Sequence, residues 1–193
     1  MQVHAFRRKA VVLVGIGFGA LMALAPGGAQ ARPACGLDSS APLASDSYAA
    51  VYGSNDRAYV CVKATGKRIT LKGASASQDH FALGGTWVAW SSGDTHSVVN
   101  VMHIPNKAIP NQFPFDTNDH IDKLVVKPDG AAAWAASPVG DNTYVQGMDR
   151  RNHEPDQLSD DTEDVVGSSL RSLAGHRISW KDTDGTTHTA NLF

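Results

Sequence analysis

The chain has 193 residues, of which 42% are hydrophobic and 19% are charged, and its formal net charge is −2. This length supports one folded domain with a hydrophobic core of its own. All 19 acidic residues but only 14 of the 17 basic ones lie beyond position 31, so residues 32–193 carry a net charge of −5. Such a charge makes nucleic acids and anionic membrane surfaces poor partners.

The N-terminal segment has the three regions of a secretion signal. Residues 7–9 are basic, an apolar run follows from Ala10 to Ala25, and Ala29-Gln30-Ala31 supplies the small residues of a cleavage site. The apolar run is shorter than the roughly 20 residues of a membrane span. We therefore predict a cleaved signal peptide over residues 1–31 and a mature domain over residues 32–193. That domain would be secreted or extracytoplasmic and would lack a membrane span.

Two cysteines, Cys35 and Cys61, remain in the predicted mature chain. An even cysteine count in an exported protein favours a disulfide, whereas their spacing lacks the Cys-x-x-Cys pattern of redox or metal sites. Closing this loop would stabilise the fold by roughly 3.5 kcal/mol in the loop-entropy model. We predict that the bond fixes the N-terminal segment to the first folded unit.

The clearest strand pattern lies in the middle of the chain. Thr86 to Ser91 and Ser97 to Ile104 alternate between apolar and polar residues, and a polar turn separates them. A short edge segment, Ala108-Ile109, follows and is expected to end at Pro110. Apolar segments between such units, Phe81 to Leu83 being the first, are candidate inner strands. Period-two patterning broken by Gly, Pro, Asn and Asp predicts hairpins.

The same layout recurs in four copies, each with an aromatic residue in the same strand. These residues are spaced by 38, 44 and 46 positions and are Tyr52, Trp90, Trp134 and Trp180. We interpret them as core residues rather than as a sugar-stacking platform, because large rings at repeat spacing fill the gap between adjacent sheets. The predicted fold is an all-β, four-bladed β-propeller-like repeat domain, either closed or open. A β-sandwich is the alternative.

The third copy contains Val126-Lys127-Pro128-Asp129-Gly130, which resembles the Ser-Pro-Asp-Gly turn of TolB-like and WD40-like β-propeller blades. No blade ends in Trp-Asp, so the hydrogen-bonded tetrad of WD40 proteins is not expected. The whole chain is similar to a group of small exported bacterial proteins of unassigned function. That resemblance implies a propeller and transfers no catalytic residue. Because the fourth copy has about three strands, an N-terminal strand near Cys35-Gly36-Leu37 would complete it and close the ring.

The candidate site residues lie where the chain enters two successive copies. Asp79-His80 precedes one inner segment, and Asp119-His120 precedes the next. In a propeller both pairs would lie at one mouth of the central channel, where Asp164 and Asp46 would complete an acidic ring. Two imidazoles among carboxylates can hold a divalent metal or act as acid and base near neutral pH. The alternative is that each residue hydrogen-bonds a turn.

Two acidic stretches, Glu154 to Asp164 and Asp116 to Asp122, lack the glycine and ligand order of an EF-hand and are interpreted as solvated loops. The mature chain contains no Ser-x-x-Lys, Gly-x-Ser-x-Gly or His-Glu-x-x-His string, and we predict no cofactor. The sequence therefore favours an exported, non-catalytic recognition or scaffold module for an unknown protein or carbohydrate. A metal-dependent or hydrolytic enzyme with a site at the channel mouth is the alternative.

Overall fold

The computed structural model describes Cys35 and residues 41–77, 79–92, 98–114, 119–150, 154–160 and 162–193, with the description at 108–111, 113 and 114 limited to the backbone. All of these residues belong to one compact unit, Arg32–Phe193. The predicted signal peptide lies outside the described residues.

Four antiparallel sheets follow one another along the chain. The first contains β1 (Ala44–Ser45), β2 (Ala49–Ser54), β3 (Arg57–Val62) and β4 (Lys67–Thr70). The second contains β5 (Phe81–Gly84), β6 (Trp87–Ser92), β7 (Val98–His103) and β8 (Ala108–Pro114). The third contains β9 (Asp119–Val126), β10 (Ala132–Pro138), β11 (Tyr144–Met148) and β12 (Asp156–Gln157). After a 3-10 turn, Gly167–Ser169, the fourth contains β13 (Arg171–Ser172), β14 (Arg177–Lys181) and β15 (Thr187–Asn191).

The strands of each sheet are ordered as they occur in the sequence. The first strands of successive sheets contact one another, β1 with β5, β5 with β9 and β9 with β13, and are therefore the inner strands. A cavity of about 310 Å³ is lined by residues from all four inner strands. The inner strands β5 and β9 come so close that a Cβ atom on Gly84 would collide with the carbonyl oxygen of Val126. Glycine at this position lets β5 and β9 lie side by side.

Three apolar cores join successive sheets. The first core joins the first and second sheets and includes Val51, Val60, Val88 and Trp90. The second joins the second and third sheets and includes Ala89, Val101, Leu124 and Trp134. The third joins the third and fourth sheets and includes Ala133, Val145, Ile178 and Trp180. The alternation of side chains along each strand lets one sheet contribute to two cores.

The three repeat tryptophans, Trp90, Trp134 and Trp180, lie on the second strand of their sheets and are at most 3% exposed. Each packs towards the preceding sheet, as the core interpretation predicts. The interpretation is wrong for Tyr52, which is only partly buried and stacks on Tyr59 with ring centroids 5.8 Å apart. Tyr52 faces away from the first core, and among the described residues no apolar core joins the fourth sheet to the first.

A turn joins β9 to β10 at the position where the sequence predicts one. Gly130 has a φ of +98°, and its N–H donates to the carbonyl of Lys127 at 3.0 Å. Asp129 accepts a hydrogen bond from the N–H of Ala131 at 3.1 Å. A side chain on Gly130 would lie within 3 Å of the Trp87 ring, so glycine is needed both for the backbone conformation and for space.

Several local predictions need correction. β8 continues through Pro110 to Pro114, which an edge strand permits because the missing N–H of proline can fall on the unpaired side. Asp119 and Asp122 lie in β9 rather than in a loop, and Asp156 lies in β12. The fourth sheet has three strands within the described residues, and Gly36 and Leu37 lie outside them.

The predicted disulfide between Cys35 and Cys61 is present, with 5.5 Å between the Cα atoms. It attaches Cys35 to β3, an internal strand of the first sheet. Within the ranges described above, no helix has the length and apolar character needed to cross a membrane.

Candidate ligand-binding face

One edge of the sheets collects most of the predicted site residues. The first strand of each sheet starts at this edge and the second strand returns to it, so the turn to the third strand also lies here. We call this edge the upper face. It carries the starts of β5 and β9 and the turns after β10 and β14. The opposite edge, where the first strands end, is the lower face.

His80 and His120 meet on the upper face. Their ring centroids are 6.0 Å apart and their planes make an angle of 75°, an edge-to-face contact between adjacent sheets. His80 is fixed by its backbone, since its N–H donates to Ser91 Oγ at 2.9 Å and its carbonyl accepts from the Ser91 N–H at 3.1 Å. The structure therefore brings together two histidines that are 40 positions apart in the sequence.

The aspartates that precede these two histidines accept hydrogen bonds from nearby parts of the chain. The Asp79 carboxylate accepts a hydrogen bond from the N–H of Ser75 and closes a turn. Asp119 is 5% exposed, and the hydroxyl of Tyr144 donates to its carboxylate, which links β9 to β11. Because side chains alternate along a strand, Asp119 and His120 point to opposite sides of β9. Asp79 thus hydrogen-bonds a turn, as the alternative interpretation expects, whereas Asp119 links two strands of one sheet.

The expected acidic ring does not form as predicted. Asp46 follows β1 and therefore lies on the lower face, where its carboxylate accepts from the N–H groups of Tyr48 and Ala49 at 2.8 Å. It also accepts from the N–H of Gly85 at 3.0 Å and so links the first two sheets. Asp164 is exposed beside the turn after β14, and its carbonyl accepts from Thr183 at 2.8 Å. Asp46 thus lies at the opposite edge from the histidine pair.

A polar pocket of about 390 Å³ opens on the upper face beside Tyr144. Its walls contain carboxylates, side-chain amides and one aromatic ring, contributed by Pro138, Gly140, Asp141, Asn142, Tyr144, Gln157, Asp160 and Glu163. The sequence interpretation treated Tyr144 only as part of a strand. The Gly140-Asp141-Asn142 turn directly before it is the signal that could have indicated an accessible ring.

Next to this pocket, His188 lies between two carboxylates. Its Nδ1 is 3.2 Å from Glu163 Oε1, and its Nε2 is 2.9 Å from Asp182 Oδ2. The ring stacks on Trp180 with centroids 5.8 Å apart. The hydrogen bond to Asp182 raises the pKa of His188; partial burial opposes this effect, and the charges of Glu163, Asp182 and Asp184 add to it. The arrangement therefore favours a protonated imidazole.

Sequence reasoning missed His188 because its partners come from different segments. Glu163 precedes the fourth sheet, whereas Asp182 and Asp184 belong to the turn after β14. Within that turn, hydrogen bonds with Thr186 lower the pKa of Asp184 to about 2. In the part of the chain that the structure describes, no group of three or more His, Cys, Asp or Glu side chains is placed to hold a metal ion.

Comparisons with known proteins support the fold of this chain and assign no activity to it. Neither a protein-family model nor a curated protein matches the sequence. The structure is similar to that of the computationally designed Ika4 protein, with a TM-score of 0.55 and 16% identity, over 81% of this chain and 94% of that one. It is also similar to Porphyromonas gingivalis dipeptidyl peptidase 4, a β-propeller protein, with a TM-score of 0.54 and 9% identity.

The second match covers 75% of this chain but only 29% of dipeptidyl peptidase 4, so the chain spans less than a third of that protein. At these identities the similarity concerns the fold alone. The chain is thus an all-β protein whose four antiparallel sheets have a propeller-like arrangement.

Proposed function

We propose that this chain is an exported, non-catalytic recognition module built as a four-bladed β-propeller, and that it binds a carbohydrate on the upper face. The observation that carries the proposal is the meeting of His80 and His120 across two sheets, 6.0 Å apart at the starts of adjacent inner strands. Ligands commonly bind where inner strands of a propeller converge. The cavity lined by all four inner strands supports the four-bladed arrangement.

The chemistry of the neighbouring pocket favours a sugar. Tyr144 offers a flat ring, while Asn142 and Gln157 offer amides that can both donate and accept. Asp141, Asp160 and Glu163 offer carboxylates that accept from hydroxyl groups. A few polar groups converging beside an aromatic surface are typical of a small-molecule site.

Export is supported by two independent features. The N-terminal 31 residues have the basic, apolar and small-residue regions of a signal peptide. The disulfide between Cys35 and Cys61 fits an oxidising compartment. We expect mass spectrometry of the exported protein to find Arg32 as its first residue. An intact N-terminus in cytoplasmic protein would contradict this part of the proposal.

The binding site is tested by a thermal-shift screen of neutral sugars and divalent metals. A ligand at 100 times its Kd stabilises the folded state by about 2.7 kcal/mol, which raises the Tm of a domain of this size by about 5–10 °C. We expect a sugar to produce this shift in the wild type and not in the double variant His80→Ala/His120→Ala. His176→Ala, an exposed histidine on the lower face, is the control and keeps the shift.

Three results would contradict the proposal. The absence of a shift with any sugar would show that the ligand is not a carbohydrate, and an equal shift in the double histidine variant would show that the histidine pair takes no part in binding. Formation of a product from a bound sugar would show that the protein is a hydrolytic enzyme, because a recognition module releases its ligand unchanged.

A further inference from the structure

We infer that β15 is an unprotected sheet edge through which two copies of this chain pair as a two-fold symmetric dimer. Within the described residues, β15 is the outer strand of the fourth sheet, which has three strands there where the other sheets have four. An outer strand presents unpaired N–H and C=O groups, which can pair with another strand. This inference does not depend on the proposed carbohydrate site.

The other three outer strands carry features that prevent such pairing. β4 has two exposed cations, Lys67 and Arg68. β8 contains Pro110 and Pro114, which lack N–H donors. β12 is only two residues long. Charge, proline and short length are the usual protections of a sheet edge.

β15 lacks proline and is longer than β12, and its one ionisable side chain, His188, lies on the partly buried face rather than among the exposed residues. Its five residues, Thr-His-Thr-Ala-Asn, include no proline, lysine or acidic side chain. The side chains of Thr187, Thr189 and Asn191 are exposed, whereas His188 and Ala190 are partly buried on the other face. The edge is therefore long enough for pairing and polar enough to be tolerated in solution.

The hydrogen bonds of the β14–β15 pair show which backbone groups point outward. The N–H of Leu192 donates to His176 at 2.8 Å, and the carbonyl of Thr186 accepts from Asp182 at 3.2 Å. Even-numbered residues of β15 therefore direct their backbone groups towards β14, because these groups alternate along an antiparallel strand. Those of Thr187, Thr189 and Asn191 point away from the sheet, and within the described residues β15 pairs with β14 alone.

The sequence of β15 matches itself when Thr189 lies on the two-fold axis. Thr189 then faces Thr189 of the second copy, and each Thr187 faces an Asn191. All three outward-pointing residues of each copy fall in hydrogen-bonded pairs, and every outward N–H and C=O finds a partner. Threonine side chains opposite one another stabilise such pairs.

Charge selects this register over its neighbour. Moving the axis to His188 would place two imidazoles opposite each other, and each has a pKa raised by its hydrogen bond to Asp182 and by the nearby charge of Glu163, so that two protonated rings would repel each other. With Thr189 on the axis, each His188 faces the methyl group of Ala190. We therefore expect β15 of a second copy to pair with the outer edge of β15. The two three-stranded sheets would then form one sheet of six strands.

Cysteine cross-linking tests the register. In a hydrogen-bonded antiparallel pair the Cα atoms are about 5.5 Å apart, within the range a disulfide spans. We expect Thr189→Cys to form a covalent dimer in air, with the Cys35–Cys61 bond intact by peptide mapping. Thr187→Cys is the matched control, because its two copies would be about 14 Å apart along the strands and should stay unlinked.

The purified wild type should sediment as a dimer that dissociates on dilution. Thr189→Lys should weaken this dimer by up to about fivefold, since like charges directly opposite are destabilising, and Thr70→Lys on β4 should not. Far-ultraviolet circular dichroism confirms that each variant is folded. A monomeric wild type at millimolar concentration overturns the inference, as does equal cross-linking of both cysteine variants. Slow amide exchange at Thr189 in a monomer also overturns it, because another strand would then cover the edge.

Discussion

Lys127 provides a direct test of how the third and fourth sheets are joined. Its side chain is 1% exposed, and its Nζ donates to Ser172 Oγ at 3.0 Å, to the Leu173 carbonyl at 2.6 Å and to the Arg177 carbonyl at 2.9 Å. Burial lowers the pKa of Lys127, and the charge of Asp129 opposes that effect. The ammonium group thus connects the turn of one sheet to the β13–β14 turn of the next.

The structure sets the size of the effect of Lys127→Met and Lys127→Ala. The Arg177 carbonyl also accepts from the Leu173 N–H at 2.9 Å, and the Ser172 hydroxyl can rotate, so methionine leaves mainly the Leu173 carbonyl without a donor. One such loss costs about 1–3 kcal/mol. Alanine also removes the packed stem and leaves a cavity, so we expect a total of about 3–5 kcal/mol.

Urea unfolding measures these changes, with Lys123→Met as the control because Lys123 is an exposed lysine on the same strand, β9. The pH dependence has a definite sign. The pKa of Lys127 is lower in the folded state than its ordinary value of 10.5, so the unfolded chain binds more protons as the pH approaches that value. The wild type should therefore gain stability relative to Lys127→Met between neutral and alkaline pH. Equal stability of Lys127→Met and Lys123→Met, or a loss of relative stability with rising pH, would refute this reasoning.

Three other predictions follow from the packing. Alanine at any of the three repeat tryptophans should lower the free energy of unfolding, measured in urea, by about 3–5 kcal/mol. Tyr52→Ala should lower it less, because the Tyr52 ring is only partly buried. Equal decreases in all four variants would contradict the assignment of the cores. Cys35→Ser should lower the free energy of unfolding by up to roughly 3.5 kcal/mol, and an unchanged Tm would show that the bond does not restrict the unfolded chain. The stability that the raised pKa of His188 contributes is fully present below pH 6.5 and is lost as the pH rises through the folded-state pKa. His188→Gln should therefore flatten this part of the plot of unfolding free energy against pH. An identical plot for the variant would exclude the ion pairs of His188 as the cause.

The local chemistry of the sequence predicted the elements well where pattern and turn residues agreed. Trp87–Ser92 and the turn at Gly130 follow from period-two alternation and from a glycine with positive φ. The prediction failed at β8, because a proline at a sheet edge does not end a strand. It failed again at Asp119, where an acidic residue judged as loop is buried against Tyr144.

Sequence reasoning anticipated that two histidines would lie close together, and their role in ligand binding stays a prediction. The repeated Asp-His pairs indicated two corresponding positions in successive copies, and the structure places His80 and His120 in contact. The position of Asp46 was wrong, because the direction in which the chain leaves β1 decides which face it occupies. His188 and its partners Glu163 and Asp182 could not be predicted, since they come from segments that have no shared pattern.

The sequence alone determined the strand periodicity, the repeat of one aromatic per sheet, the paired cysteines and the features expected of an exported chain. These depend on interactions between residues close in the chain or on composition, which can be derived without knowing the fold. Tertiary structure decided that Tyr52 faces outward while Trp90 is buried, that Lys127 is held by the fourth sheet, and that β15 is the last strand of its sheet within the described residues. Those outcomes depend on which face of one sheet meets the next, and contacts between residues far apart in the sequence establish that only when the chain has folded.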